Sequence, residues 1–169
     1  AASDVYKRQV INRYGDIASI FDKKAVRELL AGTARLEFLS ESPRNYPAWN
    51  MEWKDRQNPP IGYVDGQATI KIVEKGPVRV ALEVVRKSRG SIFKQQIRLS
   101  GGDAGRRVEV KNHIDWQTTG VSLKAAFPLT VSNANATYNW GLSTIERGNN
   151  CPVKYEVPSH EWFDLTDSN

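Results

Sequence analysis

The sequence predicts an all-β fold, an antiparallel β-sandwich with little helix. Apolar and polar residues alternate at period two along most of the chain. Turn signals built on Gly, Pro, Asn and Asp recur at intervals of about ten residues, the rhythm of short paired strands. No segment carries a long amphipathic helical pattern. The 169 residues (19.0 kDa) suffice for one domain with its own core.

The first nine residues, AASDVYKRQ, show no period and are expected to lie outside the fold as a non-native or disordered tail, residues 10–169 forming the domain. VINRYGDIASIFDK then reads as two short strands broken at Tyr14-Gly15-Asp16. KAVRELLAG is helical by composition, but Gly32 stops it after a few residues.

In QATIKIVEKG, Ala68, Ile70 and Ile72 share one face. Beyond Gly76-Pro77, the residues Val78, Val80, Leu82 and Val84 do the same, so the two runs predict a hairpin of half-buried strands. SIFKQQIRLS, the turn GGDAG and RRVEVKNHIDW predict a second hairpin. In it Val108, Val110, Ile114 and Trp116 lie on one face, with Asn112 the polar exception. VSLKAAFPL places Val121, Leu123, Ala125 and Phe127 together and closes at Pro128. A last strand is expected over Lys154–Val157, and the chain stops abruptly just after it and its continuation, so the domain is expected to be truncated at its C-terminal end.

The net charge is +5 and the isoelectric point about 9.4. The basic residues are interspersed with acidic ones, and Lys71, Lys75, Arg79 and Arg86 are assigned to outward strand positions. This favours a solvated sheet face over a nucleic-acid partner or a basic interaction domain. No apolar run reaches the roughly 20 residues of a membrane helix, so no membrane partner is expected. Cys151 is alone and expected to be a small buried hydrophobe.

His113 and His160 sit in no zinc-binding spacing, and no metal site is expected in this chain. Gly-x-Ser-x-Gly is absent, and GGDAG joins strands where a phosphate loop would need a following helix. Asn135-Ala136-Thr137 formally matches a glycosylation acceptor. Carboxylates are plentiful, but sequence alone pairs none of them, so the residues by themselves indicate no catalytic centre. One segment invites a functional reading. NYPAWNMEW concentrates Tyr46, Trp49 and Trp53, suited either to stacking on a sugar ring or to packing at a seam.

Several strings in a fixed order resemble the β-rich region that follows the catalytic barrel in α-mannosidases of glycoside hydrolase family 38. They are VINRYGDIASIFDKKAVRELL, NYPAWNMEW, EKGPVRVALEV, QQIRLSGG with HIDWQ and SLKAAFPL, WGLSTIERGNN, and KYEVPSHEWFDLTD. The likeness spans Val10 to Asp167; Thr166 fits its pattern, while Phe163 stands where a smaller residue is usual.

The resemblance implies a mannosidase C-terminal-domain-like sandwich with DKKAVRELL as a turn followed by a strand. It also implies that the parent is a retaining, zinc-dependent enzyme hydrolysing α-mannosides or glycans. The aspartate nucleophile, the acid/base carboxylate and the zinc ligands would then lie in an N-terminal barrel outside this chain. No catalytic or metal residue is therefore carried over, and Asp16, Asp22 and Asp164 are given no such role. The implied partner is that barrel, which this inactive portion would brace. Loop residues reaching its rim would be Glu146, Arg147, His160 and Trp162, an arginine fork suiting vicinal hydroxyls and an indole face suiting a sugar. The alternatives are that Glu146 and Arg147 form a structural ion pair and Trp162 interdomain packing. In the same frame Tyr46 and Trp49 become interdomain anchors. The competing reading is an independent carbohydrate-binding module using Tyr46, Trp49 and Trp53.

Overall fold

The structure, a computed structural model, describes residues 2–3, 7–47 and 49–167. Its strands form four antiparallel sheets. The first contains β1 (Ala2–Ser3), β2 (Lys7–Ile11), β3 (Ile17–Asp22) and β4 (Arg27–Glu28), in that order. The second has β5 (Arg35–Ser40) between β6 (Gly62–Tyr63) and β11 (Val121–Ala126). The largest pairs β7 (Thr69–Lys75), β8 (Arg79–Ser88), β9 (Ser91–Ser100) and β10 (Glu109–Asp115) in sequence order. In the last, β12 (Asn135–Asn139) runs between β13 (Thr144–Gly148) and β14 (Phe163–Asp164). A four-residue helix, α1 (Trp53–Arg56), and a 3₁₀ turn at Gly102–Arg106 complete the elements. No helix is long and apolar enough to cross a membrane.

The sandwich is visible in which strands share buried side chains. Ile17, Ile20, Leu30 and Ala34 pack on Val84 and Ile97 of the large sheet, while Leu36 and Phe38 meet Val64 and Phe93. An isolated bridge between Ile17 and Ala34 stitches the first two sheets into one layer opposite the large one. Phe38 and Phe93 are fully buried and meet edge-to-face at 6.1 Å, with Trp116 against both. Burial of a ring of this size contributes about 1.5–3 kcal/mol.

Local chemistry sets the turns. Between β2 and β3, Asn12 Oδ1 accepts from the amides of Tyr14 (2.9 Å) and Asp16 (3.0 Å). Gly15 there has φ +86°, and a Cβ would fall 2.3 Å from Val84 Cγ1, so only glycine fits. The β8–β9 hairpin is joined by Arg89 and Gly90, both at positive φ, in the handedness that matches strand twist. Between β3 and β4, Asp22 Oδ1 accepts from Lys24 and Ala25 (2.9 Å each), fixing a turn followed by a strand where composition allowed a helix.

Five expectations are corrected. The fold begins ahead of Val10: Lys7 pairs with Asp22 and Gln9 with Ile20, both Lys7 and Gln9 buried, because β3 offers its full edge to them. No strand forms over 154–157. Cys151 and Lys154 close a turn, Glu156 takes φ 51°, and its carboxylate is held by Lys124 and Arg56. Cys151 is exposed. Strand β7 is not half-buried. Its inner-face Ile70 and Ile72 are 38% and 61% exposed, because the buried clusters draw on β8 and β9 and stop short of this edge. Arg86 points inward and is 2% exposed, since β8 keeps its two-residue period from Val84 to the end of the strand.

Candidate functional site

Three places gather the chemistry-bearing side chains. The first is the surface of the β12–β13–β14 sheet. Arg147 on β13 lays its guanidinium over Trp140 (4.7 Å) and Tyr138 (5.2 Å), and Nη1 donates to the Pro158 carbonyl at 2.6 Å. His160 joins this arrangement, its ring edge-to-face with Trp140 at 5.2 Å. Two of the four residues expected at the rim, Arg147 and His160, are thus brought together, and Trp140 joins them. The sequence reading missed Trp140. Its only local signal is the turn-forming Gly141-Leu142-Ser143 behind it, closed by Trp140 N to Ser143 O at 2.9 Å.

Trp162 lies alongside β12, its carbonyl accepting from Asn139 N at 2.9 Å, and its side chain is 43% exposed. Glu146 neighbours Arg147 on one strand, so the two side chains face opposite sides of the sheet. No ion pair joins them among the described residues.

The second place is the loop around Tyr46. Tyr46 and Trp49 stack face to face, centroids 5.8 Å apart and planes within 8°, while remaining 70% and 84% exposed. Trp53 packs instead against Tyr155 at 5.4 Å, and the Tyr155 hydroxyl donates to the Met51 carbonyl. The loop is pinned from below. Arg44 N donates to Glu52 Oε1 (2.7 Å), and Ser42 N to the buried Asp55 (3.2 Å). Arg56 reaches Ser40 O (2.9 Å) and Ser122 Oγ (3.1 Å). The Arg44 amide, then Lys54, hold the Glu52 carboxyl below its usual range. Two exposed rings therefore ride on an anchored base.

The third place is a cleft of about 240 Å³ between the two layers. Its mouth carries the exposed residues Asn112, Ala125 and Phe127. Its floor is a polar chain. Arg86 Nη1 donates to Asp16 Oδ1 (2.5 Å), Val64 O (2.9 Å) and Tyr14 O (3.2 Å). Nη2 donates to Gln95 Oε1, and Gln95 Nε2 donates to Asn112 Oδ1 at 2.8 Å. Asn112, the polar residue on an otherwise apolar face, ends this relay. An arginine buried to this degree persists only with its charge balanced and most of its donors occupied, as Nη1 and Nη2 are here.

Among the described residues, no group of three or more His, Cys, Asp or Glu side chains converges to hold a metal ion. The aspartates denied catalytic roles have structural ones: Asp16 pairs with Arg86, Asp22 caps a turn, and Asp164 accepts from Thr166 Oγ1 at 2.8 and 3.0 Å.

Fold and site define an all-β sandwich domain that presents aromatic and arginine side chains on its surface. The chain belongs to the family described as "Glycosyl hydrolases family 38 C-terminal domain", which it matches over residues 3–169. It is similar to alpha-mannosidase G of Dictyostelium discoideum, 27% identical over 172 residues. That match covers 94% of this chain and 15% of the relative, so the chain spans a small part of that protein's length.

Proposed function

We propose that this chain is the non-catalytic β-sandwich portion of a retaining, zinc-dependent α-mannosidase. In this reading it braces the catalytic barrel and lines the rim of the active site. The observation that carries the reading is the family match over nearly the whole chain, set beside the small share of the relative that it covers. Nucleophile, acid/base carboxylate and zinc ligands belong to the barrel. Alone, the chain turns over no mannoside.

At the rim, the Arg147–Trp140–His160 group is the part suited to a sugar. With Nη1 engaged by the Pro158 carbonyl, the guanidinium keeps Nη2 and Nε for hydroxyls, beside a Trp140 indole that stays 43% exposed. The test is Arg147→Ala in the full-length enzyme, assayed on an aryl α-mannoside and on an α-mannosyl glycan. A rise in KM or a fall in kcat of about tenfold, corresponding to about 1.4 kcal/mol, is expected. Unchanged turnover and affinity with lowered stability would remove the rim role while leaving the bracing role in place.

A second reading is favoured by the Tyr46–Trp49 stack, a flat exposed pair of the kind that carries a sugar ring. Saturable binding of mannobiose by the isolated chain, lost in Trp49→Ala, would make it a carbohydrate-binding module. Absence of binding leaves the stack as an anchor for the barrel. Trp53, engaged with Tyr155, takes no part in either case.

A further inference from the structure

The cleft above Arg86 is assigned no role by the family reading, and its chemistry is specific enough to name an occupant. The inner face of a sandwich is ordinarily apolar. Here β8, β9 and β10 place Arg86, Gln95 and Asn112 side by side on it, and the opposite layer supplies Asp16. These groups do not exhaust one another. Arg86 Nε is buried without a hydrogen-bond partner. Asp16 Oδ2 accepts from no donor, and Asn112 Nδ2 donates to no acceptor, among the described residues. One donor and one acceptor, Asn112 Nδ2 and Asp16 Oδ2, thus remain at one end of a cleft otherwise walled by residues such as Ile17, Leu36, Ile97 and Val110, while Arg86 Nε is buried out of a ligand's reach.

Charge and size narrow the ligand. Asp16 already neutralises Arg86 at 2.5 Å, and Arg35 at the same cleft sits over the Tyr63 ring at 3.5 Å. The floor therefore offers little net charge to an anion. The volume of about 240 Å³ lies below that of pockets for drug-sized ligands and equals about eight waters at about 30 Å³ each. That space suits a single six-membered ring and is too small for an oligosaccharide. Mixed hydrogen bonding at one end, apolar walls and the half-exposed Phe127 ring at the mouth match a molecule with hydroxyl edges and a C–H face.

We infer that the cleft bounded by Asp16, Arg86, Asn112 and Phe127 is a binding site for one neutral polyhydroxylated ring, a monosaccharide. It is separate from the Arg147 surface and from the Tyr46–Trp49 stack. The inference does not depend on the mannosidase reading, because its test uses the 169-residue chain alone.

D-mannose, D-glucose and, as the charged probe, acetate are titrated into the chain. Amide and side-chain NMR shifts are followed, above all the carboxamides of Gln95 and Asn112. A sugar is expected to move these signals saturably with a Kd in the millimolar range. Ala125→Trp, which places an indole at the mouth from an exposed position, is expected to abolish the shift, and Asn112→Ala to weaken binding by about tenfold. Trp49→Ala is expected to leave it unchanged. A well-dispersed spectrum of Ala125→Trp excludes misfolding as the cause, and Asn112→Ala tests the same site without added bulk. Saturation by acetate but by neither sugar would overturn the inference. So would an absence of shifts up to about 100 mM sugar, two decades above a millimolar Kd, or shifts indifferent to Ala125→Trp.

Discussion

Asp16→Ala should destabilise the chain far more than its position in a turn suggests, because it strands a buried cation. The Arg86 side chain is 1% exposed and that of Asp16 12%. Breaking such a pair from one side costs about 3–5 kcal/mol, whereas an exposed pair costs 1 kcal/mol or less. Arg86 would keep three neutral acceptors, Val64 O, Tyr14 O and Gln95 Oε1. The expected loss therefore lies at the lower end, about 3 kcal/mol.

With a urea slope of about 1–3 kcal/mol per molar, the unfolding midpoint followed by tryptophan fluorescence falls by about 1–3 M. The double variant Asp16→Ala/Arg86→Met removes the charge together with its partner. It should recover at least about 1 kcal/mol relative to Asp16→Ala, even though the carbonyls facing Arg86 lose a donor. A cost for Asp16→Ala below about 1 kcal/mol, or single effects that add within about 0.5 kcal/mol, would refute the claim of a coupled buried pair.

Glycine positions offer a sharper contrast. In Gly66→Ala the new Cβ would lie 1.9 Å from the Lys87 carbonyl oxygen, so the backbone must move, at a cost of at least about 2 kcal/mol by thermal unfolding. Gly102→Ala, at φ +62° with open space around it, should cost about 1 kcal/mol through the left-handed backbone alone.

Glu28 gives the pH dependence. Burial raises its pKa, but the Ser19 hydroxyl and the amides of Leu30, Ile20 and Leu29 outweigh it and hold the carboxyl below its ordinary 4.5. Its contribution is complete above that value and is lost as pH falls through the lowered folded value. Glu28→Gln should cost about 1.5–3 kcal/mol at neutral pH and flatten the acid limb of the stability curve. Trp49→Ala, at a site 84% exposed, should change chain stability by no more than about 0.5 kcal/mol in the same denaturation assay.

Strand periodicity was the most legible feature, because alternation of side chains is a local property of an extended chain. It located the hairpins β2–β3, β7–β8 and β9–β10 and the strand ending near Pro128, and excluded a long helix. The ordered strings also pointed to the family that the chain belongs to. What escaped was set by contacts between residues distant in sequence. Whether an alternating strand is covered depends on how far the opposite layer reaches, so Ile72 on β7 lies 61% exposed while Phe93 is buried. A basic residue at an inner position reads locally as a surface charge. Only the arrival of Asp16, 70 residues earlier in the chain, makes the interior tolerable for Arg86.

The candidate surfaces divide in the same way. Arg147 and His160 were legible as residue types, and their meeting over Trp140 required the loop after β13 to return against β12. The density of NYPAWNMEW was legible, but not how its rings divide. Folding stacks Tyr46 on Trp49 in solvent and gives Trp53 to Tyr155, about a hundred residues away, whose hydroxyl donates across a separation of 104 to Met51. By itself the sequence determined the strand pattern, the family likeness and the chemistry available. The tertiary structure decided which charges could be buried and which rings stay free, because both depend on desolvation by partners that no local window contains.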